Sequence, residues 1–152
     1  MENIVWIYKA FNELTPLQLY SILQLRNEVF VVEQQCIFQD ADNKDQNSWH
    51  VMGWTGNQLI AYTRLVPEGI AYKESSIGRV VTSPKMRKLG LGRKLMLESI
   101  EILYKIWGKK AIKIGAQLYL KNFYESLGFQ QTSAIYLEDG IEHIEMLLAL
   151  PS

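Results

Sequence analysis

A chain of 152 residues, 48% apolar and 21% charged, is long enough to close a hydrophobic core without disulfides or a structural metal. Its 16 basic and 16 acidic residues cancel, which argues against nucleic acid or another long polyanion as partner. The lone Cys36 suits a reducing cytoplasm, the N-terminus lacks a signal peptide's basic start, and no apolar run approaches the roughly 18 residues of a membrane span.

In chain order, residues 5–9 read as a first strand. Thr15-Pro16-Leu17-Gln18 opens a helix, with Thr15 as cap, Pro16 in the first turn and Gln18 completing a capping box. Leu19, Ile22, Leu23, the stem of Arg26 and Phe30 fall on its buried face. Residues 39–48 form a polar loop whose aspartates invite a calcium reading. Lys44 stands at a ligand position, however, and the glycine and distal glutamate of an EF-hand loop are missing, so the loop reads as solvated.

Residues 49–55 and 58–66 alternate as a hairpin turning at Gly56-Asn57. Residues 76–82 end in the β-branched run Val80-Val81-Thr82. A helix follows over 92–107, its apolar positions Met96, Ile100, Leu103 and Trp107 spaced by four, three and four, with Gly108 to end it. A short strand spans 111–114, a helix 118–127 ends at Gly128, and strands 131–137 and 141–150 close a hairpin. No repeat or linker divides the chain, so 1–152 reads as a single α/β (α+β) domain.

The stretch from Pro84 to Lys94 carries five cations: Lys85, Arg87, Lys88, Arg93 and Lys94. Arg93 and Lys94 fall in the first turn of the predicted helix, where the helix dipole disfavours positive charge. That turn also presents unpaired backbone N–H groups, and Gly90 and Gly92 allow close approach to them. A strand, a glycine turn, a helix start and surplus cations describe a phosphate cradle. The Lys-Ser or Lys-Thr of a P-loop is missing, and Leu95 replaces the third small residue of a dinucleotide fingerprint. What remains is Arg87-Lys88-Leu89-Gly90-Leu91-Gly92, an Arg-x-x-Gly-x-Gly sequence.

This segment resembles the coenzyme A diphosphate loop of the GNAT N-acetyltransferases, and Asn122-Phe123-Tyr124-Glu125-Ser126-Leu127-Gly128-Phe129 resembles their Phe-Tyr-x-x-x-Gly-Phe segment. Residues 25–34, 77–81 and 139–144 are similar to the ElaA-like branch of that family. The resemblance implies a twisted, mixed but mostly antiparallel sheet flanked by helices and splayed at the cofactor site. It implies acetyl-CoA as donor, bound by Val80, Val81 and Thr82 along the pantetheine arm and by Arg87, Lys88, Leu89, Gly90, Leu91, Gly92 and Arg93 at the diphosphate, with Asn122 nearby. A backbone N–H near Val80 would polarise the acetyl carbonyl, and Tyr124 would protonate the departing thiolate. Periodicity alone makes Tyr124 a core residue. Gln117 stands where many members carry asparagine.

The acceptor is expected to be a primary amine, protonated at neutral pH, so a base is needed. Glu33 and His143 are the candidates retained, and His50 reads as an ordinary hydrogen-bonded histidine. The two histidines and Cys36 make no zinc pattern, so no metal is expected, and Cys36 is given no role, which leaves direct transfer in a ternary complex. A non-catalytic acyl-CoA sensor or interaction module is the alternative. The final apolar strand allows a homodimer.

Overall fold

The computed structural model describes residues 3–151, the side chains of Lys88 and Leu89 excepted. Eight strands form the sheet: β1 (Val5–Ala10), β2 (Trp49–Thr55), β3 (Gln58–Val66), β4 (Ser75–Thr82), β5 (Ile112–Gln117), β6 (Gln130–Gln131), β7 (Tyr136–Glu138) and β8 (Ile141–Leu148). Their order is β1-β2-β3-β4-β5-β8-β6, with β7 also on β8. β4 and β5 run parallel, and the other neighbours are antiparallel. The hairpin at Gly56-Asn57 forms as its sequence predicts, with Thr55 facing Gln58 and Gly56 at φ +55°.

Helix α1 (Pro16–Arg26) opens on the expected box. Thr15 Oγ1 accepts the Gln18 N–H at 3.1 Å, and Gln18 Oε1 accepts the Thr15 N–H at 3.0 Å. It lays Ile22 and Leu25 against Met52, Leu59, Tyr62 and Val81 on one face of the sheet. The α-helical spacing does not run on to Phe30. Residues Asn27–Glu33 wind as a π-helix, whose wider turn moves burial from Phe30 to Val29. Arg26 buries its guanidinium as well as its stem, at 0% exposure.

Helix α2 (Leu91–Trp107) covers the opposite face with Leu95, Met96, Ile100 and Leu103. A Thr63–Ser99 hydroxyl bond of 2.6 Å ties it to β3. The helix expected over 118–127 is a 3-10 turn, Leu118–Leu120, followed by α3 (Lys121–Glu125). It stops early because the Leu127 and Gly128 amides tighten onto the Tyr124 and Glu125 carbonyls.

β5 outruns its expected end because β8 pairs with all of it, from Ile112↔Leu148 to Gln117↔His143. The strand expected over 131–137 is broken instead. Ser133 Oγ accepts the Glu145 N–H at 2.8 Å, so a side chain replaces a strand partner between β6 and β7.

Two irregularities of β4 create the site. β4 pairs with β5 through Ser75 and Ser76 alone, after which the strands diverge. On its other edge the register with β3 shifts by one between Gly78 and Val81, so Arg79 and Val80 both face Thr63. This is a β-bulge, with Arg79 at φ +48°.

Candidate active site

The divergence of β4 from β5 opens a cleft of about 790 Å³. β4 contributes Gly78, Val80 and Thr82 to its wall, and β5 contributes Ile114 to Gln117. The π-helical segment adds Phe30 and Glu33, the β7–β8 hairpin adds Glu138 and His143, and α3 adds Phe123 and Tyr124. Arg87 and Gly92 line the end beside α2. Tyr124, Glu33 and His143, scattered in sequence, therefore border one cavity with Val80, Thr82, Arg87 and Gly92.

The other sequence candidates are placed differently. Val81 turns its side chain into the α1 core at 3% exposure and can offer only backbone to the cleft. Leu91 packs with Ile60, Ala61 and Leu95. Asn122 is exposed on α3. The side chains of Lys88 and Leu89 lie outside the described residues.

At the start of α2, Gly90 sits at φ +67°, a conformation glycine adopts without a steric cost. A Cβ there would meet no atom within 4 Å, and one at Gly92 would meet only Phe123 Cζ, at 3.8 Å. The first-turn amides lack intrahelical acceptors and carry the positive end of the helix dipole, so this is open space suited to an anion. The cations around it are not all free. Arg87 Nη2 pairs with Glu33 Oε1 at 2.6 Å, and Arg93 Nη1 donates to Ser126 Oγ at 3.1 Å.

Tyr124 is 5% exposed. Its ring stands edge-on to Phe123 at 5.1 Å and to Phe129 at 5.9 Å. Burial, with a smaller contribution from Tyr119, pushes its hydroxyl well above the usual tyrosine range. His143 donates from Nδ1 to the Ile141 carbonyl at 2.7 Å, which leaves Nε2 as the proton-accepting nitrogen, 3.5 Å from Glu138 Oε2. Its ring stacks on Tyr136 with centroids 5.8 Å apart. Cys36 borders the cleft but donates its thiol hydrogen to the Asp139 carbonyl at 3.5 Å. Gln117 Nε2 donates to Gln34 Oε1 at 3.4 Å across the cleft wall.

His50 is structural. Nε2 donates to the Asp45 carbonyl at 2.9 Å, so Nδ1 accepts from the Tyr62 hydroxyl at 2.6 Å. Burial, reinforced by the charges of Arg26 and Arg64 against the opposing pull of Asp45, holds its pKa below the usual histidine value.

The loop 39–48 is exposed at Gln39, Ala41, Asn43, Gln46 and Asn47, as expected of a solvated loop, but its aspartates turn inward. Its aspartates close a ring with three arginines. Arg26 Nε meets Asp40 Oδ2 at 2.7 Å, Asp40 Oδ1 meets Arg79 Nε at 2.8 Å, and Arg79 Nη2 meets Asp42 Oδ2 at 3.3 Å. Asp42 Oδ1 meets Arg64 Nη1 at 2.7 Å, and Asp45 Oδ1 accepts from both Arg64 and Arg26 at 2.8 Å. Burial alone would raise the carboxyls of Asp42 and Asp45, but the arginine hydrogen bonds and charges outweigh it and hold both below the usual carboxylate range. The available signal was an arginine inside an otherwise apolar strand, Arg64, opposite an aspartate-rich loop.

Residues 17–150 match the acetyltransferase (GNAT) domain. The chain belongs to the GNAT acetyltransferase family. It is 41% identical to protein ElaA of Escherichia coli over 145 residues, 94% of this chain and 95% of that protein. The crystal structure of Escherichia coli ElaA superposes with a TM-score of 0.89 at 39% identity, over 95% of this chain and 99% of that one. An acyl-CoA N-acyltransferase from Pseudomonas aeruginosa superposes with a TM-score of 0.92 at 39% identity, over 97% and 100%. GNAT membership supports acyl transfer from a coenzyme A thioester, and the splayed, mixed sheet is that family's architecture.

Proposed function

We propose that this chain transfers the acetyl group of acetyl-CoA to a primary amine directly, with both substrates bound together. The observation that carries the reading is the divergence of β4 from β5 over a cleft floored by Tyr124 and ending at the open start of α2.

In this reading the diphosphate rests on the backbone N–H groups of 87–92, where Gly90 leaves room for it. The pantetheine arm lies along the backbone of Val80, Val81 and Thr82, whose β5-facing edge has lost its strand partner. The Val80 N–H polarises the acetyl carbonyl. His143 Nε2 accepts the proton of the incoming ammonium, and Glu138 stabilises the imidazolium that results. Glu33, the other candidate base, is engaged by Arg87. The amine nitrogen then bonds to the acetyl carbon, the carbon–sulfur bond breaks with its electron pair on sulfur, and the surplus proton on nitrogen passes to that sulfur, leaving a neutral amide and free coenzyme A.

Tyr124 meets that sulfur as a hydrogen-bond donor. With ordinary pKa values near 10 for a phenol and 8.5 for a thiol, full proton transfer is uphill by about 2 kcal/mol, and burial widens the gap. The hydroxyl thus stays neutral and stabilises the thiolate as it forms. The described bond of Cys36 to a carbonyl rather than to a base supports transfer without an acyl-cysteine intermediate. Its free, half-buried thiol fits a reducing, cytoplasmic setting.

The test is release of free thiol from acetyl-CoA across a panel of primary amines, with Tyr124→Phe alongside. We expect amine-dependent release, slowed about tenfold to a thousandfold in the variant, with coenzyme A affinity unchanged. Cofactor binding without release for any amine would favour the non-catalytic module. Wild-type turnover by Tyr124→Phe would remove the tyrosine from the mechanism.

A further inference from the structure

We infer that the ring of three arginines and three aspartates is a positioning device for acyl transfer, with Arg79 as the residue through which it sets the β4 bulge. The inference rests on the transferase reading above.

Arg79 is the residue at which β4 departs from regular geometry. It occupies the left-handed region at φ +48°, which residues with a Cβ avoid. Glycine is the residue expected at such a position. An arginine held there needs an anchor, and its side chain supplies several. Nε donates to Asp40 Oδ1 at 2.8 Å, while Nη2 reaches the Asp40 carbonyl at 2.9 Å and Asp42 Oδ2 at 3.3 Å. The guanidinium also lies over the Phe38 ring, 5.9 Å from its centroid.

The far side of the ring is rigid. Arg26, at the last residue of α1, has a side-chain exposure of 0%, and Arg64 on β3 has 4%. Asp40 therefore joins the bulge to a packed helix, and Asp42 joins it to the centre of the sheet. Three positive and three negative groups close on one another, with Lys44 Nζ also 3.9 Å from Asp42 Oδ2 and the buried Arg64 Nε left without a partner.

The position of the bulge gives this anchoring its consequence. Arg79 and Val80 share the single partner Thr63 on β3, at a point where β4 has already parted from β5. No strand on the cleft side fixes the peptide plane between them. Its orientation follows the backbone angles at Arg79, and it carries the Val80 N–H. A misplacement of about 1 Å in such a donor is worth about a hundredfold in rate. The same clamp leaves the start of α2 untouched, so the diphosphate site should not sense it.

Arg79→Gly and Arg79→Ala separate the alternatives. Glycine removes the anchor but tolerates positive φ, whereas alanine removes the anchor and resists that conformation. Amine-dependent thiol release should show kcat falling about tenfold in Arg79→Gly and about a hundredfold in Arg79→Ala. KM for acetyl-CoA and the coenzyme A dissociation constant should stay within about twofold. Asp40→Asn, which leaves Arg79 in place and weakens its anchor, should fall between wild type and Arg79→Gly.

A lowered Tm with unchanged kcat in both Arg79 variants would make the ring merely structural and overturn the inference. Equal losses in the two variants together with a raised KM would mean that the guanidinium contacts substrate, which would overturn it as well. Amide hydrogen exchange across 79–82 in the free protein gives a readout independent of turnover. We expect exchange about tenfold faster in Arg79→Ala than in wild type, and equal rates would also sink the idea. An inactive wild type with the expected exchange pattern would instead defeat the transferase reading, and with it the role in acyl transfer, leaving only that the ring holds the β4 bulge.

Discussion

Gly90→Ala separates the role of the α2 turn in folding from its role in binding. The residue sits at φ +67°, and an added Cβ would have no protein atom within 4 Å. The folded chain thus loses nothing by steric clash and suffers only the left-handed strain, about 1 kcal/mol. For a chain of 152 residues that lowers Tm by about 2–4 °C. The open space is where the diphosphate is proposed to lie. A methyl group there would push the anion off at least one backbone N–H, and a hydrogen bond to a charged group contributes about 1.5–3 kcal/mol. Coenzyme A affinity should fall about tenfold to a hundredfold, read by calorimetric titration beside a thermal melt. Gly108→Ala is the control. Gly108, at φ +86°, ends α2 with equally open surroundings, so its variant should lose stability and keep full affinity. If Gly90→Ala melts as expected yet binds coenzyme A like wild type, the phosphates do not rest on this turn.

The ring and His50 should make the protein acid-sensitive in two stages. Burial holds the folded His50 pKa below the unfolded value near 6.5, so stability declines as pH drops below about 6.5, where the unfolded chain takes up a proton the folded one refuses. Asp42 and Asp45, held low by their arginines, add a steeper loss below about pH 4; urea midpoints flat from pH 7 to pH 5 would contradict the histidine stage. Glu33→Gln should release Arg87 from a pair whose side chains are each 40% exposed. Such pairs contribute less than about 1 kcal/mol, so coenzyme A binding should tighten by up to about fivefold while kcat stays near wild type; a large fall in kcat would move the base from His143 to Glu33. Gly53→Ala would set a Cβ 2.8 Å from Trp6 Cζ3 and 3.2 Å from Ala61 Cβ. Overpacking of this kind costs about 1–3 kcal/mol, so Tm should fall by several degrees, and an unchanged melt would mean that the indole yields without cost.

The parts of the fold set by local chemistry were legible in the sequence. The Thr15–Gln18 box, the Gly56-Asn57 turn and the Gly108 stop act within a few residues, and each forms where its residues stand. The α2 turn was legible for the opposite reason. Arg93 and Lys94 sit where a helix dipole disfavours them, and a local rule broken at a glycine turn points to a ligand. Features decided by a distant partner were not legible. β5 takes its length from β8, and the strand after Gln131 breaks because a serine hydroxyl substitutes for a strand neighbour. The π-helical turn after Arg26 adds one residue per turn with no residue type to announce it. In the candidate site, Tyr124 and the glycine turn came from motifs, whereas the partners of Arg87 and His143 came from tertiary placement.

The charge ring is the clearest case of that second kind, and its composition argues for its role. Its arginines and aspartates stand 14 to 39 residues apart in sequence, so neither helical nor strand spacing brings a pair together. An aspartate-rich loop with Lys44 as its one counter-charge reads as solvated, and an arginine in an apolar strand reads as an exception. Burying such charges is a poor route to stability, since apolar residues of similar volume often serve as well or better. What charges supply and apolar side chains do not is a single geometry, because each guanidinium fork donates to its carboxylate in few orientations. Arg79 and Asp42 bring that geometry to the cleft wall, beside a strand that has lost its neighbour. A strand with one free edge cannot fix its own amides, and here the loop between α1 and β2 does so with charge.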